Sequence, residues 1–210
     1  MKKILFFTVL GTALLLLAGC SQPEKADQAA KALIDSYIFQ EDTPELETIY
    51  GLDDTRIQKE NKNDFVTSVK GKLKGISDDR IEGLNQKLKE HLKNTATYRV
   101  DVKEENSSVA IIDIHVNGLD FSNEKIQEKA DQLVKNLENK ITAESSEQEM
   151  TSLVNQTSFD VLEYMYLNSP AKRQDSVVVL KLRQNPDDKE KWQIENEAVF
   201  FEDLYQAFGL

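Results

Sequence analysis

Cysteine is nearly absent from this sequence: Cys20 is the single one in 210 residues. One cysteine excludes a disulfide within the chain, and with it the disulfide-stapled class of small exported domains. Glycine and proline are also sparse, at 8 and 4, which excludes collagen-like and low-complexity chains. The two histidines, His91 and His115, stand too far apart in sequence to suggest a zinc site. Basic residues are outnumbered 26 to 37, for a net charge of −11. That acidity argues against nucleic acid as a partner, and against lying flat on an anionic bilayer. Phosphate-binding glycine loops, the Gly-x-Ser-x-Gly elbow and the calcium-loop pattern are missing as well. No cofactor and no metal are expected.

Against these absences stands one long apolar run. Lys2 and Lys3 precede Ile4–Ala18, which only Thr8 and Gly11 interrupt. As a helix the run covers roughly 22 Å at ~1.5 Å per residue, short of a ~30 Å hydrocarbon core, so a permanent membrane span is the poorer reading. The run ends Leu17-Ala18-Gly19-Cys20, which resembles the lipobox of bacterial lipoproteins. That resemblance implies a diacylglyceryl group on the Cys20 thiol and cleavage between Gly19 and Cys20. An acylated Cys20 is neither a thiol nucleophile nor a metal ligand. Two acyl chains satisfy the two-signal rule for stable anchoring, at ~0.8 kcal/mol per buried CH₂.

The expected partition is therefore a signal peptide at 1–19, a lipid anchor and short tether at 20–24, and one domain at 25–210. The membrane is a partner through the lipid on Cys20, and the location is the outer face of the cell membrane, Gram-positive type. Removing residues 1–19 takes Lys2 and Lys3 away and moves the charge from −11 to −13. The segment Ala13–Gly19 also resembles the hydrophobic peptides that some Gram-positive bacteria cut from lipoprotein signals as mating pheromones, which gives the signal a second possible use.

Behind the tether the hydrophobic period is helical. Ala26, Ala29, Ala30, Leu33, Tyr37 and Ile38 share a face. Thr43-Pro44-Glu45 reads as N-cap, N1 proline and first-turn acid of a short helix ending near Gly51. Residues 63–74 place Phe65, Val66, Val69 and Leu73 on one stripe. Gly75 suits a C′ position and Ser77 an N-cap, and Ile81, Leu84, Leu88 and Leu92 follow. The period then drops to two: Tyr98, Val100 and Val102 alternate, then Ala110, Ile112, Ile114 and Val116, a hairpin with its turn at 104–107 and its end at Asn117-Gly118.

Ser122–Ala143 returns to helix with Ile126, Ala130, Leu133, Leu137 and Ile141 inward. Ser146–Glu149 has capping-box spacing before a helix carrying Met150, Leu153, Val154, Val161, Leu162 and Met165. Residues 176–183 and 191–195 form a second hairpin, and a last helix presents Val199, Leu204 and Phe208. The fold class is α+β, with helices packed on short antiparallel hairpins in the order α-α-α-α-β-β-α-α-β-β-α.

The segments Tyr37–Thr43, Gly75–Asp79 and Lys191-Trp192-Gln193-Ile194 resemble a family of small Gram-positive lipoproteins that carry a domain of unknown function over nearly the whole mature chain. Their shared features are helix caps and strand cores, so the resemblance implies no catalytic residue. The layout is also similar to cone-like, nuclear-transport-factor-like folds, in which a curved sheet and helices can enclose a pocket.

Candidate sites follow from chemistry. Asp113 and His115, two apart on one strand, point to one side and could act as orienting carboxylate and base. A solvated strand face accounts for them more simply. His91 reads as a boundary residue of its helix. Ser122–Lys125 and Ser169–Lys172 both match Ser-x-x-Lys, but the companion motifs are missing and Ser122 suits a helix cap. Tyr164, Tyr166, Phe200, Phe201 and Tyr205 could line a pocket, although core packing explains them as well. The expected function is a membrane-anchored extracytoplasmic lipoprotein with a non-enzymatic domain that binds a protein, peptide or small ligand. The alternative is an envelope enzyme using Asp113 and His115.

Overall fold

The computed structural model describes residues 22–142 and 144–210. Gly19 and Cys20, the candidate cleavage and lipidation site, and the segment Ala13–Gly19 lie outside the described residues. Within them the chain forms α1 (Ala26–Tyr37), α2 (Glu45–Tyr50), α3 (Asp54–Lys72), α4 (Asp78–Thr95), β1 (Thr97–Glu105), β2 (Val109–Asn117), α5 (Glu124–Glu138), α6 (Glu147–Asn168), β3 (Ser176–Gln184), β4 (Trp192–Ile194) and α7 (Glu197–Phe208). The class is α+β, in the order the periodicities predict. No helix among the described residues is long and apolar enough to cross a membrane.

The two hairpins are halves of one antiparallel sheet, ordered β1-β2-β3-β4. β2 and β3 pair from Val109↔Arg183 to Val116↔Ser176. That register stacks the alternating residues of both strands on one face. Ala110, Ile112, Ile114 and Val116 are all 0 % exposed, and Val178, Leu180 and Leu182 are buried beside them. α1 and α7 cover this face. α1 presents Ala26, Ala29 and Ala30, all fully buried, and such small residues let a helix lie close to its neighbours. The opposite face is open, with Val109, Val177 and Val179 exposed on it.

A buried carboxylate joins the first three helices. Asp54 accepts from Ser36 Oγ (2.5 Å), Thr43 N (3.0 Å) and Gln58 Nε2 (2.9 Å). Hydrogen bonds to an ionised group are the strong kind, and here they satisfy the buried Ser36 hydroxyl and the buried Thr43 N–H. At the start of the domain, Trp192 Nε1 donates to the Glu24 carbonyl (2.7 Å), and Ala26 N donates to Glu105 Oε1 (2.9 Å). The end of the expected tether is thus pinned to β4 and β1.

Several local expectations are corrected. α3 begins at Asp54, with Asp53 accepting from Arg56 N as its cap, nine residues before the expected start. The intervening stretch is polar except for Ile57, so its helical period is hard to see. Thr43 does not cap α2: Pro44 holds that position and the Thr43 hydroxyl donates to the Glu41 carbonyl. Gly75 takes a left-handed φ of 80°, but beyond an extended Leu73 rather than at C′. Ser77 occupies the N-cap of α4 without a side-chain cap bond. α5 is capped by Asn123, not Ser122, and ends at Glu138. The capping box Ser146–Glu149 is present as read. In α7, Val199 is 57 % exposed and Phe200 takes the inward place. In α6 only Phe159 is fully buried, while Val154 is exposed and its other apolar residues are half-buried.

Candidate functional site

α3, α4 and α6 are held side by side by charged pairs on their outer surfaces. Lys70 pairs with Asp78 (2.7 Å) and Lys62 with Glu82 (2.8 Å), so α3 runs back along α4. Arg80 reaches Asp160, and Lys87 pairs with Glu163 (3.0 Å), so α6 runs alongside α4 in the same direction. Arg80 also lies over the Phe159 ring at 4.4 Å. These exposed pairs add little stability each. Their effect is registry.

Between the three helices lies a trough of about 660 Å³, closed at its margins by Tyr37 and Ile38 of the α1 end and Tyr205 of α7. A volume between ~300 and 1,000 Å³ is that of a small-molecule site. Each helix contributes one stripe. α3 gives Asn61, Asp64, Phe65, Ser68, Val69 and Lys72, which are three or four residues apart and so share a face. α4 gives Asn85, Leu88, Lys89 and Leu92, and α6 gives Ser158, Leu162 and Tyr166. Phe65, Val69, Leu88 and Leu162 make the surface apolar, while Asp64, Ser68 and Lys72 form an exposed edge.

The polar groups of the trough are unusual for their setting. Asn85, a polar residue only 5 % exposed, turns its side chain to this lining. Burial pushes the Tyr37 phenol up to about 12, with Glu197 adding to it. Tyr205 is likewise pushed up to about 12, by burial first and by the nearby Asp64 second. Burial alone raises Tyr166. All three phenols are therefore neutral donors at ordinary pH. Tyr205 Oη donates to Asn61 Oδ1 at 3.5 Å, a long contact. Burial lowers the Lys89 ammonium from its ordinary range; Lys93 adds to the shift and Glu41 opposes it.

No strand residue lines this trough. The inner face of the sheet is filled by α1 and α7, so the pocket that a cone-like fold would place against the sheet is packed solid. The aromatic set divides: Tyr166 and Tyr205 line the trough, Phe200 is core, and Phe201 stacks on Tyr37 at 4.2 Å.

Asp113 and His115 do lie on one side of β2, on the open face of the sheet. They are not a pair. Asp113 is 3.5 Å from Lys103 Nζ, whereas His115 Nδ1 lies 2.7 Å from Asp175 Oδ2. The carboxylate that orients His115 is therefore Asp175, 60 residues away in sequence, and only the sheet register could have revealed it. His115 Nε2 is buried without a partner. His91 links α4 to the end of α6 through the Ser169 carbonyl (2.9 Å). The Ser-x-x-Lys pairs also have separate roles. Ser122 Oγ donates to Asp120 Oδ1, Ser169 Oγ to the Met165 carbonyl, and Lys172 Nζ to the Ala207 carbonyl.

Comparison with known proteins bears on the fold. The crystal structure of YcdA from Bacillus subtilis subsp. subtilis str. 168, described as a candidate lipoprotein, superposes with a TM-score of 0.64 at 19 % identity. The match covers 87 % of this chain and 55 % of that one, so this chain spans about half the length of its structural relative. No curated protein matches the chain. A family model matches residues 18–209, and by that match the chain belongs to the family of the domain of unknown function DUF5105.

Proposed function

We propose that the protein is a lipoprotein anchored to the outer face of the cell membrane through Cys20, and that its domain is a non-enzymatic binding module. The trough between α3, α4 and α6 is its ligand site. The observation that carries this reading is the open apolar trough, with Asn85 among the residues that line it. The anchor is supported by Leu17-Ala18-Gly19-Cys20 and by the fold shared with a candidate lipoprotein.

The site is tested by filling it. Ser158→Trp, on a half-buried position of α6, should weaken binding of a fluorescent apolar dye to the full chain by about tenfold or more, with little change in Tm. Unchanged dye binding in a folded Ser158→Trp protein would remove the trough as the site. The anchor is tested by Cys20→Ala, which should abolish incorporation of labelled fatty acid. Full incorporation in that variant would sink the lipidation claim.

A further inference from the structure

The charges on the exposed edge of the trough narrow the ligand further, on the reading that the trough is the binding site. Asp64 and Lys72 are eight residues apart on α3, and so about 12 Å apart along its axis at ~1.5 Å per residue. Both open onto the trough. Neither takes part in an ion pair among the described residues, whereas the neighbouring Lys62 and Lys70 are paired with Glu82 and Asp78. Phe65 and Val69 lie between the two charges on the same stripe, and Ser68 stands halfway. Across from them, Asn85 offers one acceptor and one donor pair from α4.

The trough therefore presents an anion, an apolar middle with an amide, and a cation. A fatty acid or other anion-headed amphiphile would use Lys72 and leave Asp64 facing its tail. A cation-headed amphiphile would do the reverse. A zwitterion with an apolar, amide-bearing body engages all three features.

We propose that the trough binds a short apolar peptide with free termini, its amino group at Asp64, its carboxylate at Lys72 and a peptide group on the Asn85 amide. An extended chain advances ~3.3–3.6 Å per residue, so about four residues fill the span. Its apolar side chains would rest on Phe65, Val69, Leu88 and Leu162. The neutral, half-buried phenols of Tyr37 and Tyr166 supply further donors to peptide carbonyls.

The test uses the full chain in lipid nanodiscs and a tetrapeptide of leucine and valine in four forms: free, N-acetylated, C-amidated and doubly blocked, with decanoate as the competing class. Titration calorimetry should find the free form tightest, with each block weakening binding by about tenfold, the scale of one charge-assisted contact. Asp64→Asn should erase the penalty for acetylation alone, and Lys72→Gln the penalty for amidation alone. Ser158→Trp should abolish binding of every form. Equal affinity for free and doubly blocked peptides, or binding of decanoate in preference to both, would overturn the peptide assignment while leaving the trough as the site. Binding of peptide and decanoate that Ser158→Trp leaves unchanged, or no binding of either, would overturn both.

Discussion

Gly118→Ala is expected to destabilise the domain by about 3 kcal/mol or more, at the upper end of what overpacking costs. A methyl group there would collide with the backbone of Ala207 and Phe208 at the end of α7. Neither side can retreat, because both are bonded in place. Leu119 N donates to the Phe208 carbonyl (3.0 Å), and Lys172 N donates to the Gly118 carbonyl (2.7 Å). Asn117 Nδ2 reaches the Lys172 carbonyl (3.2 Å), and Leu119 bridges to Ala171. The strand end is thus clamped between α7 and the segment leading into β3. Gly83→Ala is the matched control: it sits within α4 with nothing within 4 Å of the added carbon. That change should raise stability, by up to about 1 kcal/mol. Denaturant titration of both variants decides the matter. A Gly118→Ala midpoint equal to that of the unaltered protein would mean that the clamp yields.

The second large effect is expected at Phe159→Ala. Phe159 is 0 % exposed and the sole fully buried side chain of α6. It packs with Val69, Ile76, Ile81 and Leu84 in a small cluster separate from the main core. Deleting a buried phenylalanine ring costs about 3–5 kcal/mol. Because α6 is otherwise half-exposed, that loss should fall on the attachment of α6 to α3 and α4. Hydrogen exchange should accelerate in α5 and α6 well before it does in β2, and dye binding in the trough should fall with it. Uniform acceleration across the sheet and α6 would show instead that the two clusters unfold as one unit.

How much of this was legible in the sequence depends on where the information resides. Ala110, Ile112, Ile114 and Val116 alternate without a break, and all four are fully buried; a strand with one covered face writes its burial directly into its period. The Ser146–Glu149 box is equally local, and it marks α6 correctly. In α7, Leu204 and Phe208 are buried as read, but the first inward residue is Phe200 and not Val199, because Val199, Phe200 and Phe201 are all apolar and only tertiary contacts choose among them. Of the trough only Tyr166 and Tyr205 were legible, as members of an aromatic set that could line a pocket. Its lining comes from single stripes of several helices and from the α1 and α7 ends, and each stripe by itself reads as ordinary amphipathic packing. Asp175 as partner of His115 was hidden for the same reason, since neither residue carries a local sign of the other.

The pairing of β2 with β3 also has a consequence for the route by which the chain folds. β1 and β2 close across a three-residue connection, residues 106–108, and can zip as soon as the chain collapses. β3 must find β2 across residues 118–175, which include all of α5 and α6. Loop-closure entropy grows only slowly with length, but such non-local contacts must form before they are rewarded, and topologies rich in them fold slowly. Until they form, the hydrogen-bonding edge of β2 that β3 will occupy is an open template for another chain. The central ladder of the sheet is then both the slowest part of the domain to assemble and its point of greatest exposure to aggregation during folding.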